Sequence, residues 1–115
     1  MGRQSIRPSE TRPLGKTGLN VTIAGYGGGS VGNFGRSLAN AQANAILDEA
    51  WDAGIRYFDT SPFYGRGRSE RRLGQFLEEK PRDAFVLSTK VGRLLLHRPN
   101  GAEEDGLFIN PSPFD

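Results

Sequence analysis

The sequence predicts an α/β fold built on a parallel sheet. Short apolar runs of strand length alternate with stretches whose apolar residues recur at helical spacing, and glycine and proline mark the joints between them. A hydrophobic fraction of 36% with 16 glycines in 115 residues fits a loop-rich globular chain rather than a disordered one. That length holds one small domain at most.

Each element follows from local chemistry. Residues 1–11 (MGRQSIRPSET) carry almost no apolar content and are expected to form a disordered leader. The remainder, 12–115, is taken as one partial domain. Over 12–22, two short extended pieces flank Gly15-Lys16-Thr17-Gly18, whose glycines supply the positive φ a tight turn needs, so a small β-hairpin is expected. Val21 to Tyr26 (VTIAGY) is an apolar run suited to a buried strand, and it opens into a glycine-rich loop from Gly27 to Gly35.

From about Asn40 the period changes. Ala43, Ile46, Leu47, Ala50 and Trp51 share one helical face while Asp48, Glu49 and Asp52 fall on the other, and Gly54 stands where a helix C-cap glycine belongs. Trp51 is read as a core residue of that face. Ile55 to Asp59 is a strand, with Tyr57 and Phe58 as sheet packing. Thr60 to Arg68 is a loop punctuated by Pro62, Gly65 and Gly67.

Ser69 is the expected N-cap of a second helix with Leu73, Phe76 and Leu77 as its buried stripe, and Pro81 forbids continuation beyond Lys80. The arginines at 66, 68, 71 and 72 are expected to be a solvated helix entry. Ala84 to Lys90 is the strongest strand signal. Residues 92–115, with Pro99, Gly101, Gly106, Pro111 and Pro113, are expected to be a long loop, and His97 an exposed loop residue. Three parallel strands and two helices leave one sheet edge open and one face bare, so the domain is expected to be incomplete in this chain.

Composition excludes several function classes. The chain has no cysteine, which removes disulfides, zinc–cysteine sites and thiol catalysis, and its one histidine, His97, cannot build a metal site alone. A net charge of +2 with scattered basic residues does not point to nucleic acid. No run approaches the roughly 18–20 apolar residues of a membrane helix, and the polar first ten residues lack the apolar core of a secretory signal. A soluble, cytoplasmic location is the expectation. Oligomeric state is left open.

Three polar residues stand at or just beyond the C-terminal ends of strands: Asp59, Tyr64 and Lys90. In parallel α/β folds ligands gather there, because the loops converge over the strand ends. Neighbouring strands lie about 4.8 Å apart, so Asp59 and Lys90 fall within salt-bridge reach. A lysine held charged by a carboxylate, placed beside a phenol, favours the phenolate and draws its pKa below the free value of about 10. Such a tyrosine can exchange a proton with a carbonyl or alcohol oxygen near neutral pH. The accompanying hydride has no side-chain source, which implies a nicotinamide.

Asp59-Thr60-Ser61-Pro62-Phe63-Tyr64-Gly65, then Ser69-Glu70, then Ser88-Thr89-Lys90-Val91, closely resemble the aldo-keto reductase family. So do Leu14-Gly15-Lys16-Thr17-Gly18-Leu19 and Asp52-Ala53-Gly54-Ile55-Arg56-Tyr57-Phe58-Asp59. The resemblance runs through roughly residues 12 to 93 with its motifs in order. It implies the N-terminal part of a (β/α)8 TIM barrel, namely the bottom hairpin plus about three βα units.

It also implies an NAD(P)-dependent oxidoreductase acting on a small carbonyl or sugar substrate. Tyr64 would be the general acid/base, Lys90 the residue that tunes it and Asp59 the partner of Lys90. Gly27, Gly28 and Gly29 follow the first barrel strand, where loop backbone approaches the nicotinamide end of NAD or NADP. The family's catalytic histidine ends the next barrel strand. Leu94-Leu95-Leu96-His97 follows Lys90 too closely for a helix to intervene, so His97 is not given that role. Arg93-Leu94-Leu95 and the stretch from Gly106 to Phe114 resemble the branch that dehydrogenates aldoses at C1, or pyridoxal.

Two other readings compete. Gly27-Gly28-Gly29-Ser30-Val31-Gly32 satisfies G-x-G-x-x-G after an apolar strand, and Asp59 ends the next strand, as in a Rossmann-type dinucleotide module. Against it, Asn33-Phe34-Gly35-Arg36 interposes a loop before any helix, and such a module has no use for Tyr64 and Lys90. The other is a truncated, non-catalytic remnant or a half-barrel that binds a partner. On that reading the fragment alone is inactive.

Overall fold

A computed structural model of the chain describes residues 5–97 and 107–110. Thr11–Pro13 (β1) and Asn20–Thr22 (β2) pair antiparallel. Gly15 and Gly18 turn the chain between them at φ of 53° and 78°, and the Thr17 hydroxyl donates to the Leu14 carbonyl at 2.6 Å. The expected hairpin is present. The apolar run after it is not one strand, however, because bends at Ile23 and Ala24 split it. Val21 stays with the hairpin while Gly25–Gly27 (β3) starts a second sheet.

The hairpin is tied down by one buried hydroxyl. Thr22 Oγ1 accepts from the Arg56 N–H at 3.1 Å and donates to the Ala24 carbonyl at 2.7 Å. The end of the stretch 1–11, expected to be disordered, is instead tied to the hairpin, while residues 1–4 lie outside those described. Thr11 belongs to β1, and the Glu10 carbonyl accepts from the Ile23 N–H at 2.7 Å.

β3, Tyr57–Asp59 (β4) and Val86–Ser88 (β5) form a parallel sheet in that order. Between them run the helices Asn40–Asp52 (α1) and Arg68–Glu78 (α2). This is the alternation the sequence predicts. Asn40 starts α1 as expected, with the Gln42 side chain accepting from the Ala39 N–H at 2.9 Å. Gly54 ends it at φ 97°, where the Gly54 N–H reaches the Trp51 carbonyl and the Ile55 N–H the Ala50 carbonyl. Those two bonds make a Schellman stop.

Strand periodicity divides the sheet into two faces. Tyr26, Phe58 and Leu87 align across the three strands on the helix side. Phe58 is fully buried there, with Trp51 stacked on it at 6.3 Å and Phe76 tilted at 6.3 Å. Ala43 and Leu47 of α1 and Leu73, Phe76 and Leu77 of α2 complete this core. The opposite face carries Gly25, Tyr57 and Val86 in one row and Gly27, Asp59 and Ser88 in the next.

Three further expectations are corrected. Ser69 does not cap α2: the helix starts at Arg68 after Gly67, and Ser69 lies buried inside it, its hydroxyl 2.7 Å from Thr60 Oγ1. The hydroxyl finds a tertiary partner, so it does not serve the helix end. Arg72 is not a solvated entry residue. Its guanidinium lies buried and donates to Asn40 Oδ1, the Val31 carbonyl, Asn33 Oδ1 and the Leu38 carbonyl at 2.8–3.0 Å. It thereby pins the whole connection from Val31 to Asn40 against α2.

Lastly, the loop expected over 92–115 contains a ladder. Leu94–His97 (β6) and Leu107–Asn110 (β7) pair antiparallel, so two apolar runs find each other. His97 is a strand residue by its backbone; residues 98–106 and 111–115 lie outside those described. Among the described residues no helix is long and apolar enough to cross a membrane.

Arg72→Met should cost about 2–4 kcal/mol, because it leaves the Val31 and Leu38 carbonyls and Asn40 Oδ1 without the guanidinium, while Asn33 Oδ1 keeps only the Leu38 N–H. Urea unfolding checks this. An unchanged midpoint would mean that the Val31–Asn40 connection stands without the guanidinium.

Candidate active site

The parallel register places the C-terminal residues of the three strands side by side. Gly27 pairs with Asp59, and Asp59 with Ser88. Lys90 lies two residues beyond Ser88, far enough for its stem to fold back over the strand end. Its Nζ donates to Asp59 Oδ2 at 2.8 Å and to the Thr60 carbonyl at 3.0 Å. The same ammonium sits 5.0 Å from the centre of the Tyr64 ring. The carboxylate, the ammonium and the phenol expected from the sequence are therefore brought together.

Tyr64 is held by its backbone. Its N–H donates to the Ser61 carbonyl and its carbonyl accepts from the Ser69 N–H, each at 3.1 Å. Residues 65–67 then turn through three successive positive φ values, 66° at Gly65, 52° at Arg66 and 94° at Gly67. The loop also rests on the connection after β3. A Cβ added at Gly32 would lie 2.7 Å from the Tyr64 carbonyl carbon, and one at Gly65 would run into the Gly32 carbonyl. Backbone packs on backbone here, which only glycine permits.

The three expected cofactor glycines differ. Gly27 is exposed at the end of β3, and an added Cβ there meets nothing within 4 Å. Gly28 is buried, donates its N–H to the Asp59 carbonyl at 2.7 Å, and has no room for a Cβ because Ser69 and Asp59 stand 2.6 and 2.8 Å from where it would sit. Its smallness serves the chain's own packing. Gly29 opens a short 3-10 turn over Ser30–Gly32. Since α1 starts only at Asn40, no α-helix opens on the glycine run, and the Rossmann arrangement does not form.

Beside these residues lies a cleft of about 210 Å³ lined by Pro62, Phe63, Tyr64, Lys90 and Arg93. The Arg93 guanidinium stacks 5.0 Å above the Phe63 ring. Asp59 does not line this cleft; it stands behind Lys90.

Electrostatics follow the geometry. Partial burial pushes the Asp59 carboxyl up, but hydrogen bonds from Lys90 and Ser88 and the Lys90 charge outweigh it and hold Asp59 below its ordinary 3.8. The bond to Asp59 raises Lys90 above its ordinary 10.5 against a smaller desolvation, with further support from the charge of Asp59 and from Tyr64.

Sequence reasoning missed the parts that hold the trio in place. Gly32, Ser69, Thr60 and Arg72 act through pairings more than 30 residues apart or through buried hydroxyls, and the local patterns that contain them do not reveal those partners. Gly65 was visible only as a turn residue.

Stability linked to the ion pair should span a wide plateau. A depressed Asp59 contributes above its unfolded value near 3.8 and loses that contribution as pH falls through its lower folded value. A raised Lys90 contributes below 10.5 and loses it as pH climbs through its higher folded value. The melting-temperature gap between the unchanged protein and Asp59→Asn should therefore stay flat from about pH 5 to 9 and close at both extremes. A gap that varied through neutrality would refute the pairing.

Most of the chain is similar to proteins of one known family. Residues 24–107 match the model of the aldo/keto reductase family. Over 108 residues the chain is 52% identical to D-threo-aldose 1-dehydrogenase of a Pseudomonas species, covering 90% of this chain and 33% of that protein. Pyridoxal 4-dehydrogenase of Microbacterium luteolum is 46% identical over 108 residues, covering 94% and 30%. The solved holo form of an aldo-keto reductase from Bacillus halodurans superposes with a TM-score of 0.66 at 32% identity, covering 87% of this chain and 30% of that one. The chain thus spans about a third of the length of the curated relatives it matches.

Proposed function

The chain belongs to the aldo/keto reductase family, and from that premise we propose that it carries the proton-transfer residues of an NAD(P)-dependent oxidoreductase acting on a small aldehyde, ketone or aldose. The observation that carries this reading is the Lys90 ammonium, held 2.8 Å from Asp59 while it faces the Tyr64 ring. The fold of the chain is the first part of a (β/α)8 barrel, and the trio stands at the strand ends where such barrels act.

Each residue has a distinct task. Tyr64 lines the cleft and passes a proton between its hydroxyl and the substrate oxygen. Lys90 supplies a fixed positive charge beside the phenol, which favours the phenolate left when the proton departs. Asp59 keeps Lys90 charged and in place. In the dehydrogenase direction the phenolate accepts the proton of a sugar or alcohol hydroxyl; in the reductase direction the phenol gives it back.

NAD or NADP, when bound, takes or supplies the hydride. The chain's residues fit a nicotinamide at one point: Gly27 leaves the end of β3 uncovered in the row that contains Asp59. Gly28 and Gly29 shape that loop from below. The two dehydrogenases compared above favour aldose C1 or pyridoxal dehydrogenation as the reaction. The cleft beside Tyr64, with Phe63 as an apolar wall and Arg93 as a donor, suits a small substrate that carries hydroxyl groups.

In the complete barrel, Tyr64→Phe should lower aldose turnover by about 10²–10⁴-fold while nicotinamide binding, read by fluorescence quenching, stays the same. Turnover retained in that variant would remove the proton-transfer role.

A further inference from the structure

We propose that Ser88, itself oriented by Tyr57, is a positioning residue that fixes the Asp59 carboxylate and so aims Lys90 at Tyr64. The inference rests on the proton-transfer reading above and extends it one layer outward. Ser88 Oγ donates to Asp59 Oδ1 at 2.7 Å, while Lys90 occupies Oδ2. The two carboxylate oxygens thus have different partners, which sets the rotation of the group about its Cβ–Cγ bond.

A second bond orients the serine. Tyr57 Oη lies 3.2 Å from Ser88 Oγ. A serine hydroxyl has one hydrogen, and here it is committed to the carboxylate, so Tyr57 must be the donor. The chain of bonds runs in one direction, from the Tyr57 hydroxyl to Ser88 to Asp59. On the neighbouring strand Gly25 flanks the Tyr57 ring, whose Cδ2 would be in van der Waals contact, 3.4 Å, with a Cβ added there. Tyr57 had been read from the sequence as sheet packing alone.

Fixing matters because the partner is otherwise loose. The Lys90 side chain is 48% exposed and that of Asp59 37%, and a four-carbon stem has much rotamer freedom to lose. Without Ser88, Asp59 can turn both oxygens toward Lys90 or water, and the ammonium then follows the carboxylate. The titratable groups that face Asp59 are Lys90 beyond β5, Tyr57 on its own strand and, through Lys90, Tyr64 on the loop. Glu70 of α2 is engaged elsewhere, accepting from Thr89 Oγ1 at 2.6 Å.

The test is made in the complete barrel with Ser88→Ala, Tyr57→Phe and Ser88→Thr. The Ser88 carbonyl accepts from the Thr60 N–H at 2.9 Å, so the backbone at position 88 keeps its partner in every variant. Ser88→Ala should lower kcat roughly tenfold, leave KM for the nicotinamide unchanged, and move the acid limb of the kcat/KM profile to higher pH. Tyr57→Phe should move the limb less in the same direction, and Ser88→Thr should restore both values. Independently of turnover, the carbon-13 titration of the Asp59 carboxyl should shift upward in Ser88→Ala.

A Ser88→Ala profile that overlies the parent, while Tyr64→Phe still abolishes turnover, overturns this inference alone. A fall in kcat with an unmoved acid limb and no recovery in Ser88→Thr overturns it too, since it marks a packing defect. Turnover surviving in Tyr64→Phe overturns the underlying reading as well.

Discussion

An ammonium that reaches back across the ends of two parallel strands organises this structure. The pair between Lys90 and Asp59 exists because β4 and β5 are in register through Asp59 and Ser88, with Lys90 two residues further on. Shift β4 by one residue and the carboxylate would turn to the helix side of the sheet; shift β5 and Ser88 would. The register is in turn set by Phe58, whose burial under Trp51 and Phe76 decides which way β4 faces. The chemistry on one face is thus secured by aromatic packing on the other.

Much of this was legible in the sequence. Helical periodicity at Ala43, Leu47 and Ala50, the stop at Gly54 and the strand run before Lys90 are local signals, and the structure contains the elements they mark. Asp59 and Lys90 were readable as neighbours because parallel strand ends must align. What stayed hidden is tertiary. Arg72 reads as one more surface arginine until the connection from Val31 to Asn40 folds over it and offers four oxygens. Ser69 reads as a cap, since a buried serine–threonine pair leaves no spacing to detect. The strands after Lys90 were lost among glycines and prolines for the same reason: their pairing spans a segment whose own residues prefer turns.

The glycine run shows how one motif can serve several ends. Gly27 keeps a strand end open, Gly28 lets α2 and β4 approach closely, and Gly32 meets Gly65. A pattern search sees one phosphate-binding signature in these residues. Their surroundings separate them into three constraints: an open strand end, a helix–strand approach and a contact between two loops.

The meeting of Gly32 with Gly65 has a consequence for how such a scaffold can change over evolutionary time. Tyr64 owes its place to main-chain atoms touching main-chain atoms. Flanking side chains such as those of Phe63 and Arg93 can therefore be exchanged without dislodging the phenol. Tolerance of that sort decouples the machinery from the wall that selects its cargo, and lets one frame be retuned for new molecules by drift at its rim.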